Sequence, residues 1–250
     1  MAVTLITSEN QAHGAFDAGR IREKKPIGFP QDYGQTKPYS TLFYWAHAWS
    51  DAGGFIAEHP HRGFEIMSVV LTGEIEHYDS AHKGWKKLAS GDVQVIHSGS
   101  GISHAEKIKE KSSIFQIWFD PDLNKALGKP ASYKDYESAS FPVFEDDDSK
   151  AKIIVGGTQL TMDAEIDYIQ EITFKVPEKK YPLKNESVYS LFLLEGKLSL
   201  NGKFMERNDF AIVSDEPSLD LSSIEKNSRI FLIKSPVRPS YKTYAEMSGQ

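Results

Sequence analysis

The sequence predicts an all-β protein built from two β-barrel domains in tandem. Short segments of alternating apolar and polar residues, rich in β-branched and aromatic types, recur along the 250 residues. Turn-forming dipeptides separate these segments, and long helical periodicity is scarce. Many short strands at this spacing are typical of antiparallel sandwiches and barrels. Examples of these predicted strands are residues 40–49, 64–78, 91–98, 112–120, 151–157, 167–176, 187–202, 209–214 and 228–235.

One segment between the predicted strands, residues 124–139, allows at most a short helix, which Pro130 would interrupt. It leads into an acidic stretch at 141–150, which we interpret as a solvated connection. Domains are therefore expected at residues 1–140 and 141–250. A long surface loop within a single domain is the alternative interpretation.

An internal repeat supports two domains. Each half contains an apolar strand, a Leu-x-Gly turn, an alternating strand, and then Gly-Asp or Asn-Asp before another strand. Gly73 matches Gly196, and Gly91 matches Asn208. Glycine and asparagine are the residues that best tolerate a positive φ, so these positions predict left-handed turns. The matching segments are 68–79 with 190–202, and 88–96 with 205–213.

The composition excludes several classes of site. The chain has no cysteine, which rules out disulfides, thiolate catalysis and cysteine-ligated zinc. A net charge of −6 argues against direct nucleic-acid binding as the main role, because duplex binders usually carry a basic surface. The N-terminus lacks the pattern of a secretory signal, and no segment reaches the apolar length of a membrane span. We expect a cytoplasmic protein with no membrane contact.

The histidines are distributed unevenly, since all eight precede residue 105. Two i, i+2 pairs stand out: His59 with His61, and His104 with Glu106. Alternate residues of a strand project from one face, so each pair would point the same way. A barrel would turn these faces inward and bring distant strands together. Three imidazoles and a carboxylate would leave two positions of an octahedron open, as in iron centres that bind oxygen or substrate.

Hydrogen-bonded core histidines are the simpler interpretation of any one of these residues. Two such pairs, each on a predicted strand with nearby glycines, favour a metal site instead. The two halves differ at these positions. In the repeat alignment, His59 and His61 match Pro182 and Lys184, and His104 and Glu106 match Leu221 and Ser223. A metal is therefore expected only in the first domain.

Three segments carry a family resemblance: HPHRGFEIMSVVLTGEIEHYDS, GDVQVIHSGSGISHAEK and FQIWFDP. They resemble the signature region of the pirin family, within the cupin superfamily, most densely over residues 40–121. The resemblance implies a bicupin with one mononuclear metal in the N-terminal barrel. Iron(II) is the metal expected first, with nickel, manganese, cobalt, copper or zinc as alternatives. The implied ligands are His59, His61, His104 and Glu106.

The resemblance also implies two functions, because the family includes quercetin 2,3-dioxygenases and nuclear proteins that modulate transcription factors. The first interpretation is a dioxygenase that takes O₂ and a flavonol-like aromatic substrate. Glu106 would stay a metal ligand or detach to accept the substrate's hydroxyl proton. The alternative is a regulatory metal protein that acts on a protein partner, such as a transcription factor or metabolic enzyme.

Three of the histidines that lie outside the two i, i+2 pairs carry predictions of their own. His97 is expected to be a turn residue at the end of the barrel, with a place beside the metal as the alternative. His77 and His82 border an inserted hairpin and are expected to be solvated loop residues, with a place at a pocket mouth as the alternative. The tail, residues 235–250, departs from the ending of many pirins, so its packing is left open.

Overall fold

The computed structural model describes residues 3–81, 83–223 and 225–249. The N-terminal half contains strands β1 (Val3–Ile6), β2 (Ala12–Phe16), β3 (Ile21–Ile27), β4 (Leu42–Ser50), β5 (Gly54–His61), β6 (Glu65–Thr72), β7 (Glu74–Asp79), β8 (Trp85–Ala89), β9 (Val93–His97), β10 (Ile102–Ile108), β11 (Ser112–Phe119) and β12 (Ser132–Tyr136). The C-terminal half contains β13 (Val143–Glu145), β14 (Ser149–Val155), β15 (Tyr168–Phe174), β16 (Glu178–Pro182), β17 (Ser187–Glu195), β18 (Leu198–Leu200), β19 (Lys203–Met205), β20 (Phe210–Val213), β21 (Ser218–Ser223) and β22 (Arg229–Pro236).

Helices are short. Two α-helices are present in the described part of the chain, α1 (Leu123–Ala126) and α2 (Tyr244–Ser248). Short 3-10 turns lie at Ser8–Asn10, Asp17–Gly19, Pro30–Asp32 and Ser138–Ser140. No helix within the described ranges has the length and hydropathy needed to cross a bilayer.

The chain divides into two compact units. The first, which we call the N-terminal unit, contains residues 11–140 and 241–250, and the C-terminal unit contains residues 1–10 and 141–240. Both ends of the chain therefore differ from the predicted ranges of 1–140 and 141–250. Strand β1 pairs with β20 of the C-terminal unit, which the sequence pattern did not indicate.

The two units share one sheet architecture. In the N-terminal unit, a sheet of order β12-β9-β6-β11-β4-β3-β2 accompanies a four-stranded sheet of order β5-β10-β7-β8. In the C-terminal unit, the orders are β1-β20-β17-β22-β15-β14-β13 and β16-β21-β18-β19. Each strand of one unit has a counterpart at the same place in the other, so the prediction of one β-barrel used twice is confirmed.

The repeated turns have the predicted left-handed backbone. Gly73 and Gly196 have φ of 72° and 82°, and Gly91 and Asn208 have φ of 86° and 73°. These residues also approach a neighbouring strand closely. A Cβ on Gly73 would collide with Ser112, and a Cβ on Gly196 would collide with Ser228. Both close approach and positive φ therefore select glycine at these two turns.

The repeat alignment is wrong by one residue on strand β16. Pro182 and Lys184, which were matched to His59 and His61, are exposed. Tyr181 and Leu183 pack against the core of the C-terminal unit instead. A slip of one residue moves a side chain to the other face of a strand, which explains the error. Neither inward residue offers an imidazole.

Strand β5 lies at the edge of its sheet, next to β10 only. Pro60 suits this placement, because proline cannot donate a hydrogen bond to a neighbouring strand. The sheet thus accommodates a proline between two histidines without losing a hydrogen bond from a central strand.

Apolar layers fill much of the N-terminal unit and leave room for polar residues between them. One cluster contains Ile21, Ala48, Ile56, Val70, Ile75, Leu88, Ile108 and Ile114. A second joins Ile66, Ile96 and Ile102, with Trp118, Ala131 and Tyr133 against it. On β10, His104 and Glu106 lie between Ile102 of one cluster and Ile108 of the other. The predicted site residues are therefore enclosed between two apolar layers.

Alanine substitutions at two glycines test the close approach at the Leu-x-Gly turn. Gly196→Ala should lower the free energy of unfolding by more than Gly202→Ala, because both have positive φ but only Gly196 lies against another strand. The left-handed backbone alone costs about 1 kcal/mol for alanine. The collision with Ser228 should add about 1–3 kcal/mol. Equal losses in urea unfolding of the two variants would contradict this account.

Candidate metal centre

The three predicted histidine ligands lie on two neighbouring strands. His59 and His61 are on β5, and His104 is directly opposite His59 on β10. A register irregularity follows His104, so Glu106 pairs with Ile56 rather than with the next alternate position. The i, i+2 spacing keeps His59 and His61 on one face, and the cross-strand pairing adds His104 to that face.

The imidazole nitrogens converge. Nε2 of His61 lies 2.9 Å from Nε2 of His104, which lies 3.1 Å from Nε2 of His59. One ligand atom from each of the three residues lies within 4.8 Å of the others. His104 is fully buried and His61 nearly so, whereas His59 is half-buried. The cluster therefore reaches solvent on the side of His59.

The buried imidazoles are neutral. Burial, followed by the charge of neighbouring His59, lowers the pKa of His61 to about 3. Burial and the three nearby histidines lower the pKa of His104 to about 2. His59 Nδ1 lies 2.8 Å from the Ala57 carbonyl oxygen, which only accepts, so Nδ1 donates to it. Neutral imidazole is the form that binds metal ions.

The donor set fits a divalent cation. A hydrogen can bridge only two of the three nitrogens, whereas a cation accepts all three lone pairs. Two nitrogens bound at about 2.1 Å and at right angles to each other lie about 3.0 Å apart, against about 3.4 Å for a tetrahedral angle. The observed distances of 2.9 and 3.1 Å are close to the first of these values for two of the three nitrogen pairs. Three imidazole donors at this spacing suit a divalent cation that keeps other positions open.

Glu106 is completely buried on the same strand as His104, but it is outside the three-histidine cluster. Its carboxylate accepts a hydrogen bond from Gln116 Nε2 at 2.8 Å and a longer one from Ser68 Oγ at 3.4 Å. Burial raises the pKa of Glu106 to about 7, and these two hydrogen bonds oppose the rise. Of the four predicted ligands, the structure thus groups three and places the fourth in hydrogen-bonding contact with the facing sheet.

The facing sheet supplies side chains that the sequence analysis missed. Gln116 and Trp118 alternate along β11, and the ring of Trp118 meets that of His61 at a centroid distance of 4.7 Å and an angle of 88°. Both lie in the segment FQIWFDP, which was interpreted only as a strand and as part of a family signature. The sequence shows that polar Gln116 and apolar Ile114 share one face of the strand, but it does not show which face points inward.

An aromatic cluster adjoins the histidines through Trp118. It contains Phe29, Phe43, Tyr44, Phe64 and Trp118. Phe64 lies 5.7 Å from Trp118, and Phe43 lies 4.5 Å from Phe64, centroid to centroid. Tyr244 of α2 meets both Phe43 and Phe64 edge-on at 5.7 and 5.6 Å. The N-terminal unit thus has an apolar aromatic surface beside its candidate metal ligands.

The tail anchors this aromatic surface through Asp120. The Tyr241 hydroxyl donates to the Asp120 carbonyl at 2.8 Å, and the Ala245 amide donates to the Asp120 carboxylate at 3.2 Å. Thr243 and Glu246 complete a capping box at the start of α2. The packing of residues 241–249, which the sequence left open, is thus fixed within the N-terminal unit.

Of the other histidines, His77 corrects a prediction. It is fully buried on β7 and lies 5.3 Å from His104, ring to ring, so its interpretation as a solvated loop residue is wrong. The alternation of Ile75, His77 and Asp79, all buried, was the available signal. His97 ends β9, and its Nδ1 is 2.7 Å from the Glu65 carboxylate. His82 lies outside the described residues.

Comparisons with known proteins identify the family. The Pirin family model matches residues 18–119. A protein of Pseudomonas aeruginosa named "Putative quercetin 2,3-dioxygenase" is 32% identical over 200 residues, which cover 74% of this chain and 81% of that protein. A pirin-like protein of Caulobacter vibrioides is 30% identical over 227 residues, covering 85% and 91%.

A solved structure shares the fold across both units. The crystal structure of the bacterial pirin YhhW from Escherichia coli, in complex with nickel(II), matches with a TM-score of 0.75 and 19% identity. The match covers 94% of this chain and 99% of that chain. Because the Pseudomonas and Caulobacter relatives, 32% and 30% identical, are also matched over most of their own length, the chain belongs to the pirin family.

Proposed function

We propose that this protein is a metal-dependent dioxygenase that opens the ring of a flavonol such as quercetin. The observation that carries the proposal is the convergence of three imidazole nitrogens, two of them on buried neutral rings, beside an aromatic surface. The name of the Pseudomonas aeruginosa relative supports the reaction class. The nickel(II) complex of YhhW supports a divalent metal, and we keep iron(II) as the first choice for this chain.

The proposed ligands are His59, His61 and His104, with Glu106 as the fourth. A divalent metal there would supply Lewis acidity toward the ionised 3-hydroxyl of the substrate and a redox-active centre for the reaction with oxygen. The three histidines hold their Nε2 atoms in place without reorganisation, because two paired strands fix their positions. The Ala57 carbonyl holds the tautomer of His59.

Glu106 is the proposed acceptor of the 3-hydroxyl proton. Burial brings its pKa to about 7, near the value at which a general base works best at neutral pH. A carboxylate bound to a cation is a poorer base than a free one. Glu106 therefore accepts the proton most readily through an oxygen that is not engaged as a ligand.

The aromatic surface is the proposed contact for the flavonol rings. Trp118 and Phe64 are half-buried and form its accessible part, with Trp118 adjoining His61, and the buried ring of Phe43 packs behind Phe64. Offset or edge-on ring contacts at 4.5–7 Å stabilise aromatic pairs. A flat aromatic substrate on these residues would also displace water from the histidine cluster, which strengthens the electrostatic contacts there.

Removal of one histidine tests the metal centre and the reaction together. His61→Ala should lower bound metal after purification and dialysis by at least about tenfold. It should abolish the coupled loss of quercetin absorbance and oxygen, because fewer donors hold the metal. His13→Ala is the matched control, since His13 is exposed in the same unit, and it should change neither.

Two results would overturn different parts of the proposal. Full metal content in His61→Ala would contradict the ligand assignment. Metal-loaded wild-type protein that consumes neither quercetin nor oxygen, compared with an anaerobic incubation, would contradict the dioxygenase activity and leave the metal centre standing.

The pH dependence of metal affinity tests Glu106 as a ligand. In the metal-free protein Glu106 holds its proton below about pH 7, whereas His61 and His104 are already deprotonated there. Metal binding must then release the Glu106 proton, and affinity should fall about tenfold for each pH unit below 7 from this group. Glu106→Gln should reduce the slope of log affinity against pH, between pH 5 and 7, by about one.

Titration calorimetry at several pH values would measure the slope, and equal slopes in the two proteins would contradict the assignment.

The stability of the metal-free protein should also depend on the ionisation of Glu106. Because the folded pKa of Glu106 lies above its ordinary 4.5, its stabilising contribution is present below that value and is lost as pH rises through about 7. Urea unfolding of metal-free Glu106→Gln should lack this loss.

A further inference from the structure

We propose that Gln116, itself oriented by Trp118, positions the Glu106 carboxylate for its role at the metal centre. The inference rests on the proposed metal site but not on the identity of its substrate. Gln116 is a positioning residue in this proposal, since it acts through Glu106. Together, the contacts of Gln116 and Trp118 join Glu106 and His61 to one strand of the facing sheet.

Two consecutive hydrogen bonds form the connection. Trp118 Nε1 donates to Gln116 Oε1 at 3.3 Å, and Gln116 Nε2 donates to Glu106 Oε2 at 2.8 Å. The first bond joins alternate residues of β11, whose side chains share a strand face. The second crosses the interior from β11 to β10. Strand β11 lies between β6 and β4, so its backbone is held on both sides.

The direction of the Gln116 amide follows from the chemistry of its neighbours. An indole N–H only donates, so the amide oxygen must face Trp118. An ionised carboxylate only accepts, so the amide NH₂ must face Glu106. A reversed amide would lose both hydrogen bonds and would place its oxygen against the carboxylate. Trp118 therefore selects the amide orientation that Glu106 needs.

The hydrogen bond restricts the carboxylate and leaves capacity for a metal. Gln116 engages one lone pair of Oε2, whereas Oε1 has only the long contact of 3.4 Å from Ser68. A carboxylate offers about four acceptor positions, so Glu106 can accept from Gln116 and still bind a cation. Without the amide, the carboxylate group could rotate about its terminal bond, and metal binding would have to restrict that rotation.

The same indole also contacts a histidine ligand. Its ring packs nearly perpendicular to that of His61, with centroids 4.7 Å apart. Trp118 therefore touches His61 directly and reaches Glu106 through Gln116. Residues behind the ligands of metal sites commonly contribute about 10–100-fold in metal affinity by orienting those ligands.

Cobalt(II) binding to four variants tests the inference, with affinity from chelator competition and ligand geometry from the visible absorption spectrum. Gln116→Leu should weaken cobalt(II) binding about 10–100-fold and change the spectrum, because Glu106 loses its donor. Trp118→Phe keeps a ring beside His61 but removes the indole N–H, so it should cause a smaller change in the same direction. In the double variant, Trp118→Phe should add little to Gln116→Leu, because it acts through the amide.

Ser50→Ala is the matched control. Ser50 is buried in the same unit at the end of β4, which carries no proposed ligand, and its Oγ donates to the Arg20 carbonyl at 2.6 Å, so the variant loses a buried hydrogen bond elsewhere in the unit. It should lower the stability of the metal-free protein and leave the cobalt(II) affinity and spectrum unchanged. Thermal unfolding of all metal-free variants separates loss of stability from loss of ligand orientation.

The outcomes separate this inference from the proposed function. Wild-type protein that binds no cobalt(II) at the histidines would overturn the metal centre itself. Wild-type binding with an unchanged Gln116→Leu affinity and spectrum would overturn only the positioning role. If Gln116→Leu does not fold, Trp118→Phe decides alone, and a cobalt(II) spectrum and affinity equal to wild type would overturn the inference.

Discussion

The structure depends on the convergence of three imidazole nitrogens in an interior that excludes charge. Burial keeps His61 and His104 neutral, and their Nε2 atoms lie 2.9 Å apart. An N–H hydrogen can bridge only one pair of the three clustered nitrogens. The contact is maintained because the backbones of both strands are fixed, which limits the side-chain rotamers that would move the rings apart. The cross-strand pairing of β5 with β10, and the apolar layers above and below, supply that restraint. The neutrality that makes the cluster unfavourable alone is also what suits it to a cation.

The two sheets of the N-terminal unit have separate tasks. The four-stranded sheet carries the histidines and Glu106, whereas the larger sheet carries Gln116, Trp118 and the aromatic surface. Donor atoms and their orienting partners thus come from opposite walls. Pro60 lies on an edge strand of the first sheet, where a missing N–H has no consequence for a neighbour, so the edge position and the paired histidines are compatible.

Much of this arrangement could be predicted from sequence, because strand alternation places residues i and i+2 on one face. His59 with His61, and the Leu-x-Gly turns at Gly73 and Gly196, are local patterns whose meaning does not depend on distant residues. The errors have the opposite character. Alternation says that Gln116 and Trp118 share a face, or that Tyr181 differs from Pro182, but only the packed fold decides which face is inward. His77 was misjudged for that reason.

Because residues 241–249 return to the N-terminal unit, the C-terminal unit is the covalent connection between the two parts of the N-terminal unit. Tyr244 completes the aromatic surface, and Asp120 holds it across 125 positions of chain. Closing so long a loop is entropically unfavourable, although the penalty grows only with the logarithm of its length. The residues between Asp120 and the tail include the whole 141–240 segment. Because this segment folds into the C-terminal unit, a folded domain and not a flexible chain connects Asp120 to the tail. The stability of the C-terminal unit can thereby influence how firmly this aromatic surface is held.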